Sequence, residues 1–128
     1  MKIEEFSPTY NREDGLSALY GRSVPFPLNF TPMILESGII NFPINAKGGN
    51  HKHPRIESFY STGDLTIIWV DTNGKKRSES MKPNKQIYKL FTTDPYEAHA
   101  IINESLSEQI LIEYASEPQR DVEIVNII

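Results

Sequence analysis

The chain consists of short stretches in which apolar and β-branched residues alternate with polar ones, separated by turn-forming residues. No long segment repeats its apolar residues at the helical period. Many short strands joined by turns are typical of an all-β sandwich or barrel. The pattern predicts the following strands: Leu16–Tyr20, Ile34–Ile44, Glu57–Ser61, Leu65–Asp71, Lys76–Met81, Gln86–Thr92, Ala98–Asn103 and Gln109–Ala115.

The length predicts a single domain, because a chain of 128 residues can bury about two thirds of its unfolded surface without crosslinks. Residues 1–15 are expected to form an N-terminal arm, and residues 16–119 the barrel. Residues 120–128 are expected to form a C-terminal segment packed on the barrel or on a partner subunit, because this apolar segment would be sticky if it were exposed.

Composition narrows the classes of function. The chain has no cysteine, which excludes disulfides, zinc–thiolate sites and a thiol nucleophile. The formal charge is −4, and the basic run at Lys75–Arg77 is too short to predict nucleic acid as a partner. No segment approaches the roughly 20 apolar residues of a membrane span, and the N-terminus does not resemble a signal peptide. We therefore expect a cytoplasmic protein that binds neither nucleic acid nor membrane.

The segment Asp71–Lys75 is the clearest local signal. It contains Asn73-Gly74, a pair that readily takes the positive φ values of a primed turn. We therefore predict a β-hairpin whose second strand, which is polar, lies at a sheet edge or on a solvated face.

The three histidines of the chain fall into two short motifs that point to a metal site. Residues two apart on a strand project to the same side, so His51 and His53 share a face. Glu57 shares that face if Pro54 leaves the strand in phase. His99 lies on a later strand, and two such strands facing each other inside a barrel would bring three imidazoles and one carboxylate together. The competing interpretation is that each histidine is an ordinary solvated or buried side chain.

The two motifs also resemble those of the cupin superfamily. The first spans residues 48–63, as Gly48-Gly49-Asn-His51-Lys-His53, then Glu57 and Gly63, and the second spans residues 94–103, with His99 and Asn103. The chain departs from the superfamily pattern in its turns: Asn45 and Tyr96 stand where glycines are usual, Pro95 is displaced by one position, and the first motif is one residue shorter. The resemblance implies a double-stranded β-helix, or jelly roll, with a metal bound by His51, His53, Glu57 and His99.

Such a site predicts a metal-binding cupin that acts on, or binds, a small polar metabolite in the barrel pocket. Iron or manganese is favoured for three imidazoles and one carboxylate, and nickel, copper, cobalt or zinc is possible. A metal-dependent oxygenase or isomerase is compatible with this site, and the sequence identifies no catalytic residue. Because small jelly rolls must cover their sheet edges, we expect a homodimer.

Two alternatives stay open. A weaker resemblance, at Asp14–Tyr20, Val24–Leu28 and residues 115–123, links the chain to small cupins that process nucleotide sugars in polysaccharide pathways. It implies a metal-free isomerase or epimerase in which histidines act as general acids and bases. The second alternative is a non-enzymatic cupin that only binds a ligand.

The remaining polar residues of the motifs are expected to have structural or surface roles. Asn103 is predicted to form structural hydrogen bonds, and Gly63 to permit a tight turn. Arg55 and Lys52 are expected to face solvent, and Glu97 is interpreted as surface rather than as an acid or base. The aromatic residues predicted for the core are Phe59, Trp69, Tyr88 and Tyr114, of which Phe59 also has the parity to line the pocket.

Overall fold

The computed structural model describes residues 1–20, 34–84 and 87–128, and these residues form β-strands joined by turns. The Val24–Leu28 motif and the first residue of the predicted strand Gln86–Thr92 lie outside them. None of the described residues belongs to a helix long and apolar enough to cross a membrane. The strands are β1 Lys2–Phe6, β2 Tyr10–Asn11, β3 Ser17–Ala18, β4 Glu36–Phe42, β5 Lys47–Lys52, β6 Glu57–Tyr60, β7 Thr66–Val70, β8 Lys76–Ser80, β9 Tyr88–Thr92, β10 His99–Ile102, β11 Gln109–Ala115 and β12 Glu123–Ile124.

Two antiparallel five-stranded sheets face each other. One has the strand order β1-β9-β6-β11-β4 and the other β12-β5-β10-β7-β8, while β2 and β3 form a separate pair. Apolar side chains from both sheets meet in one buried cluster, as period-two alternation requires when one face of each sheet is covered. The expected all-β jelly roll is confirmed. The cluster comprises Phe42, Phe59, Leu65, Ile67, Met81, Phe91, Ile101 and Leu111.

Most predicted strands are present and begin or end one or two residues inside the predicted bounds, and β11 matches them at both ends. Among the strands longer than two residues, the predictions missed β1 and β5. Lys2–Phe6, in the segment expected to be an arm, pairs with β9 so that Ile3 lies opposite Phe91. Lys47–Lys52 contains two glycines and no large apolar residue, and it is held as a strand by pairing with β10 and β12. Both omissions arise because the pairing partner, rather than local alternation, defines the strand.

The hairpin between β7 and β8 is confirmed, but the predicted primed turn is wrong. That turn needs positive φ at both Asn73 and Gly74, and of these two only Gly74 has it, at 76°. The Asp71 carboxylate accepts hydrogen bonds from the backbone N–H groups of Asn73 and Lys75, both at 2.9 Å. This side-chain cap stabilises a longer loop in place of the two-residue turn.

A β-bulge lies in β5 next to the predicted metal-binding histidines. His99 pairs with His51, whereas Ala100 pairs with Gly49, so Asn50 is the extra residue. Gly49 has a φ of 74° and Asn50 a φ of 63°. The Asn50 Oδ1 accepts the backbone N–H of Ile127 at 2.8 Å, which holds the C-terminal segment against the barrel.

Candidate metal centre

The structure brings the four predicted ligands to one point between the sheets. His51 lies in β5, His53 follows that strand, Glu57 begins β6 and His99 begins β10. One ligand-capable atom from each side chain lies within 4.8 Å of those of the other three. The centroids of the three imidazole rings are 5.0 to 5.1 Å apart. The side-chain parity inferred from the sequence therefore survives the bend at Pro54.

Backbone carbonyls determine which nitrogen of two of these imidazoles faces the centre. The Nδ1 of His53 lies 3.0 Å from the carbonyl oxygen of Arg55, and the Nδ1 of His99 lies 2.9 Å from that of Glu97. A carbonyl oxygen can only accept, so Nδ1 carries the proton in both rings. Each Nε2 is thereby turned towards the centre. This arrangement is the usual support for metal-binding histidines.

The Nε2 atoms face an oxygen that is itself a hydrogen-bond acceptor. The Oε1 of Glu57 is 2.5 Å from Nε2 of His53 and 3.2 Å from Nε2 of His99. A nitrogen lone pair facing a carboxylate is stabilised only by a cation between them, which is a proton or a metal ion. A shared proton needs two such atoms, whereas here three nitrogens and one oxygen converge. This donor set fits a divalent transition metal.

Burial and neighbouring groups favour the ligand forms of two of these side chains. Burial would by itself raise the pKa of Glu57, but the close contacts of its carboxylate with the His53 and His99 imidazoles outweigh burial and hold that pKa far below its usual range. Burial, assisted by repulsion from His99 and His53, lowers the pKa of His51 to about 4. The carboxylate is therefore ionised and the His51 imidazole neutral at neutral pH, as metal binding requires.

Arg55 does not face solvent, which corrects the prediction from the sequence. Its side chain is 6 % exposed and forms ion pairs with three carboxylates, those of Glu36, Glu57 and Glu113. A buried guanidinium is tolerated when its donors are satisfied in this way. By contrast, Lys52 lies near the surface, where its Nζ is 3.4 Å from a carboxylate oxygen of Glu123.

A cavity of about 170 Å³ adjoins the four side chains. Its walls are mostly apolar, and Glu113 is an ionisable residue on them that the sequence analysis missed. The signal was available, because Glu113 alternates with Leu111 and Ala115, both buried, and so shares their inward face. Burial and the nearby Glu57 carboxylate raise the pKa of Glu113 to about 8. The apolar lining residues are Ile40, Phe42, Phe59, Ile101 and Leu111.

The other motif residues take structural roles. Asn103 is fully buried, and its amide donates to the carbonyl oxygens of Phe42 at 2.9 Å and Ser107 at 2.8 Å, which confirms the predicted hydrogen-bonding role. Gly63 lies in a bend between β6 and β7, without the positive φ that would by itself favour glycine. A Cβ there would lie 1.7 Å from Oε1 of Gln109, so the end of that side chain would have to shift.

The remaining predictions for motif residues and aromatics have mixed outcomes. The surface position predicted for Glu97 is wrong, because its side chain is 7% exposed and its carboxylate pairs with the N-terminal amine of Met1. This carboxylate lies outside the cavity lining, and the backbone carbonyl oxygen of Glu97 accepts the Nδ1–H of His99. Phe59 is buried and its ring centroid is 5.8 Å from that of His99, so it is both a core and a cavity residue. Trp69, Tyr88 and Tyr114 are half-buried, which places them at the margin of the core.

Comparison with solved structures shows that this architecture is the cupin fold. CapF from Staphylococcus aureus matches with a TM-score of 0.65 and 19% identity over 76% of this chain, which spans 30% of the CapF chain. ChmJ, a 3'-monoepimerase from Streptomyces bikiniensis in complex with dTDP-quinovose, matches with a TM-score of 0.69 and 11% identity over 92% of this chain and 65% of its own. Oxalate oxidase in complex with glycolate matches with a TM-score of 0.58 and 15% identity over 70% of this chain and 45% of its own. No protein-family model and no curated protein matches the sequence.

Proposed function

We propose that this chain is a metal-binding cupin that takes a small polar metabolite into the barrel cavity. Its His51, His53, Glu57 and His99 would hold one divalent transition metal ion. The observation that carries the proposal is the orientation of His53 and His99, whose Nδ1–H groups are tied to carbonyl oxygens while their Nε2 atoms converge on Glu57. In metal-binding histidines, the ring nitrogen that does not bind the metal almost always donates a hydrogen bond of this kind.

The donor set limits the identity of the ion without selecting one. Three imidazoles and one carboxylate are borderline-to-hard ligands, for which iron or manganese is our first choice. By the Irving–Williams order, nickel, copper, cobalt or zinc would also bind. When bound, the ion would supply a Lewis acid that polarises an oxygen of the ligand.

The cavity favours a small ligand. Its volume of about 170 Å³ is below the roughly 300–1,000 Å³ of pockets that enclose drug-sized molecules. The apolar side chains of Phe42 and Phe59 would exclude water from the ligand, and Glu113 would offer it a polar contact. The likeness to oxalate oxidase solved with glycolate, a two-carbon hydroxy acid, supports a ligand of this size.

A metal-free sugar-nucleotide isomerase or epimerase is the second candidate. It is favoured by the match to ChmJ, which was solved with dTDP-quinovose. It is also favoured by a match to QdtA, a sugar 3,4-ketoisomerase from Thermoanaerobacterium thermosaccharolyticum solved with TDP. The QdtA match covers 93% of this chain and 83% of the QdtA chain, at 11% identity and a TM-score of 0.61. In such a reaction His51, His53 or His99 would move a proton at the carbon beside a keto group. The Glu57 carboxylate would then have no role in holding a metal.

Elemental analysis and ligand binding separate these candidates. We expect one equivalent of transition metal in the purified protein, lost in His99→Ala and retained in Lys52→Ala, a matched change at the surface of the same barrel end. Thermal shifts of the protein, with and without chelator, would be recorded with glycolate, oxalate and dTDP. Stabilisation by dTDP that is unaffected by chelator, together with absence of metal, would select the second candidate. Metal-dependent binding without turnover under dioxygen would indicate a cupin that only binds its ligand.

We also propose a cytoplasmic homodimer. Support comes from the outer face of the β4–β11 pair, where Ile39 is 79% and Ile110 is 53% exposed. Exposed apolar residues grouped on one sheet face are typical of an interface. Light scattering of the intact chain and of Ile39→Asp tests this: we expect a dimer that dissociates in the variant, and a monomeric wild type would refute it.

A further inference from the structure

The guanidinium of Arg55 is hydrogen-bonded to oxygen atoms of four other residues. Its Nε and Nη2 lie 3.1 and 2.6 Å from Oε2 of Glu57, and Nη2 is also 2.7 Å from Oε1 of Glu113. Its Nη1 lies 2.8 Å from Oε1 of Glu36 and 3.3 Å from the carbonyl oxygen of Glu117. A guanidinium has five N–H groups, so these contacts engage all of them. Arg55 therefore has no donor left for a ligand in the cavity.

The contacts with Glu57 divide its carboxylate into two differently used oxygens. Oε2 accepts both N–H groups from Arg55, whereas Oε1 faces the Nε2 atoms of His53 and His99. The backbone of Arg55 also acts on the site, because its carbonyl oxygen accepts the Nδ1–H of His53. One residue thus orients two of the four proposed ligands, one through its side chain and one through its backbone.

We propose that Arg55 is a positioning residue that holds Glu57 so that Oε1 alone is presented to the metal, making Glu57 a single-oxygen ligand. This inference rests on the proposed metal-binding function. Its physical basis is that a carboxylate is free to rotate and offer both oxygens to a cation unless one oxygen is already bound. A fork of two charge-assisted hydrogen bonds on one oxygen opposes that rotation.

The variant Arg55→Lys distinguishes the orientation of Glu57 from the supply of positive charge. Arg55→Lys keeps the positive charge but replaces the planar fork with a single flexible ammonium, so Oε2 is released. Arg55→Met removes the charge as well, and pairing it with Glu113→Gln limits the carboxylate charge left unpaired in the interior. The matched control is Asn103→Ala, which removes a fully buried hydrogen-bonding side chain without touching the four ligands.

The test is titration of each folded variant with Mn²⁺ and Co²⁺ after removal of bound metal. Dissociation constants would be measured by calorimetry, and the coordination of the ion followed by the Co²⁺ visible spectrum and Mn²⁺ electron paramagnetic resonance. Loss of a residue that orients a ligand typically weakens metal binding by about 10–100-fold. We expect a loss of that size in Arg55→Lys and in Arg55→Met/Glu113→Gln, with a changed spectrum in both.

The outcomes separate this inference from the proposed function. If wild type binds metal and both Arg55 variants bind within about threefold of Asn103→Ala with an unchanged spectrum, the positioning role is refuted while the metal site stands. If Arg55→Lys keeps wild-type metal affinity and spectrum while Arg55→Met/Glu113→Gln loses affinity, the positive charge alone explains that loss and the inference fails. If wild type binds neither ion, both proposals fall. Should the double variant not fold, Arg55→Lys decides the matter alone.

Discussion

His51 and His99 lie directly opposite each other on the antiparallel strands β5 and β10, and their ring centroids are 5.0 Å apart. This pairing exists because Asn50 is bulged out of the ladder immediately before His51. Without the bulge, a register shift of one residue would turn His51 to the other face of the sheet. The convergence of the site therefore depends on backbone conformation at Gly49-Asn50 as well as on the ligands themselves.

The first prediction tests the bulge with a pair of glycine variants. A Cβ at Gly49 would lie 2.9 Å from the carbonyl oxygen of His99, whereas a Cβ at Gly74 would meet nothing within 4 Å. The two glycines have similar positive φ values, 74° and 76°, so alanine strains both backbones by about 1–2 kcal/mol. We expect Gly74→Ala to lose about that much unfolding free energy and to keep its metal affinity. Gly49→Ala should lose more and bind metal at least about tenfold more weakly.

Calorimetric titration and urea denaturation of both variants provide the measurement. Equal metal affinities in Gly49→Ala and Gly74→Ala would show that the close approach of Gly49 to β10 does not control the site.

The second prediction concerns acid destabilisation of the metal-free protein. Folding lowers the pKa of His51 from 6.5 to about 4, so between these values the unfolded chain binds one more proton than the folded chain. The free energy of unfolding should therefore fall as the pH falls from 6.5 towards 4. In His51→Gln that contribution to the slope should vanish. Urea denaturation in chelator at half-unit pH steps measures the effect, and identical slopes for the two proteins would contradict it.

The third prediction has the opposite sign. Folding raises the pKa of Glu113 from 4.5 to about 8, so between these values the folded chain binds the extra proton. The stability contributed by this group should fall as the pH rises through that window. Glu113→Gln keeps an acceptor for Arg55 but cannot ionise, so we expect it to be more stable than wild type at pH 8 and to lose that advantage near pH 4.5.

The control for this prediction is Glu123→Gln, which changes an exposed carboxylate paired with Lys52. Its stability difference from wild type should be small at both pH values. A Glu113→Gln protein that is destabilised equally at both ends of the range would refute the assigned pKa shift.

The fourth prediction is that Asn103 contributes to the stability of the fold but not to metal binding. Its amide and carbonyl oxygen join the turns around Pro43 and Ser105, with the amide donating to Phe42 at 2.9 Å and the oxygen accepting from the Ser105 hydroxyl at 2.7 Å. Asn103→Ala removes these hydrogen bonds from a fully buried position, at a cost of about 3 kcal/mol. Metal affinity of the folded variant should stay within about threefold of wild type. A loss similar to that of His99→Ala would make Asn103 part of the site.

The sequence by itself predicted the features that depend on local geometry. Alternation along a strand placed His51 and His53 on one face, and the same period assigned β11 at its observed bounds. The resemblance at residues 48–63 and 94–103 named the side chains that converge. The shared face and the strand bounds follow from strand geometry, which needs no knowledge of the rest of the fold, whereas the full ligand set came from the resemblance.

The tertiary structure alone decided the surroundings of those side chains. Arg55 was expected at the surface, yet it is buried against Glu36 on β4 and Glu113 on β11. Charged residues are buried when partners satisfy them, and these partners lie 19 and 58 positions away in the chain. Which strands become neighbours is a property of the sheet order, so no local pattern around Arg55 could have revealed its role.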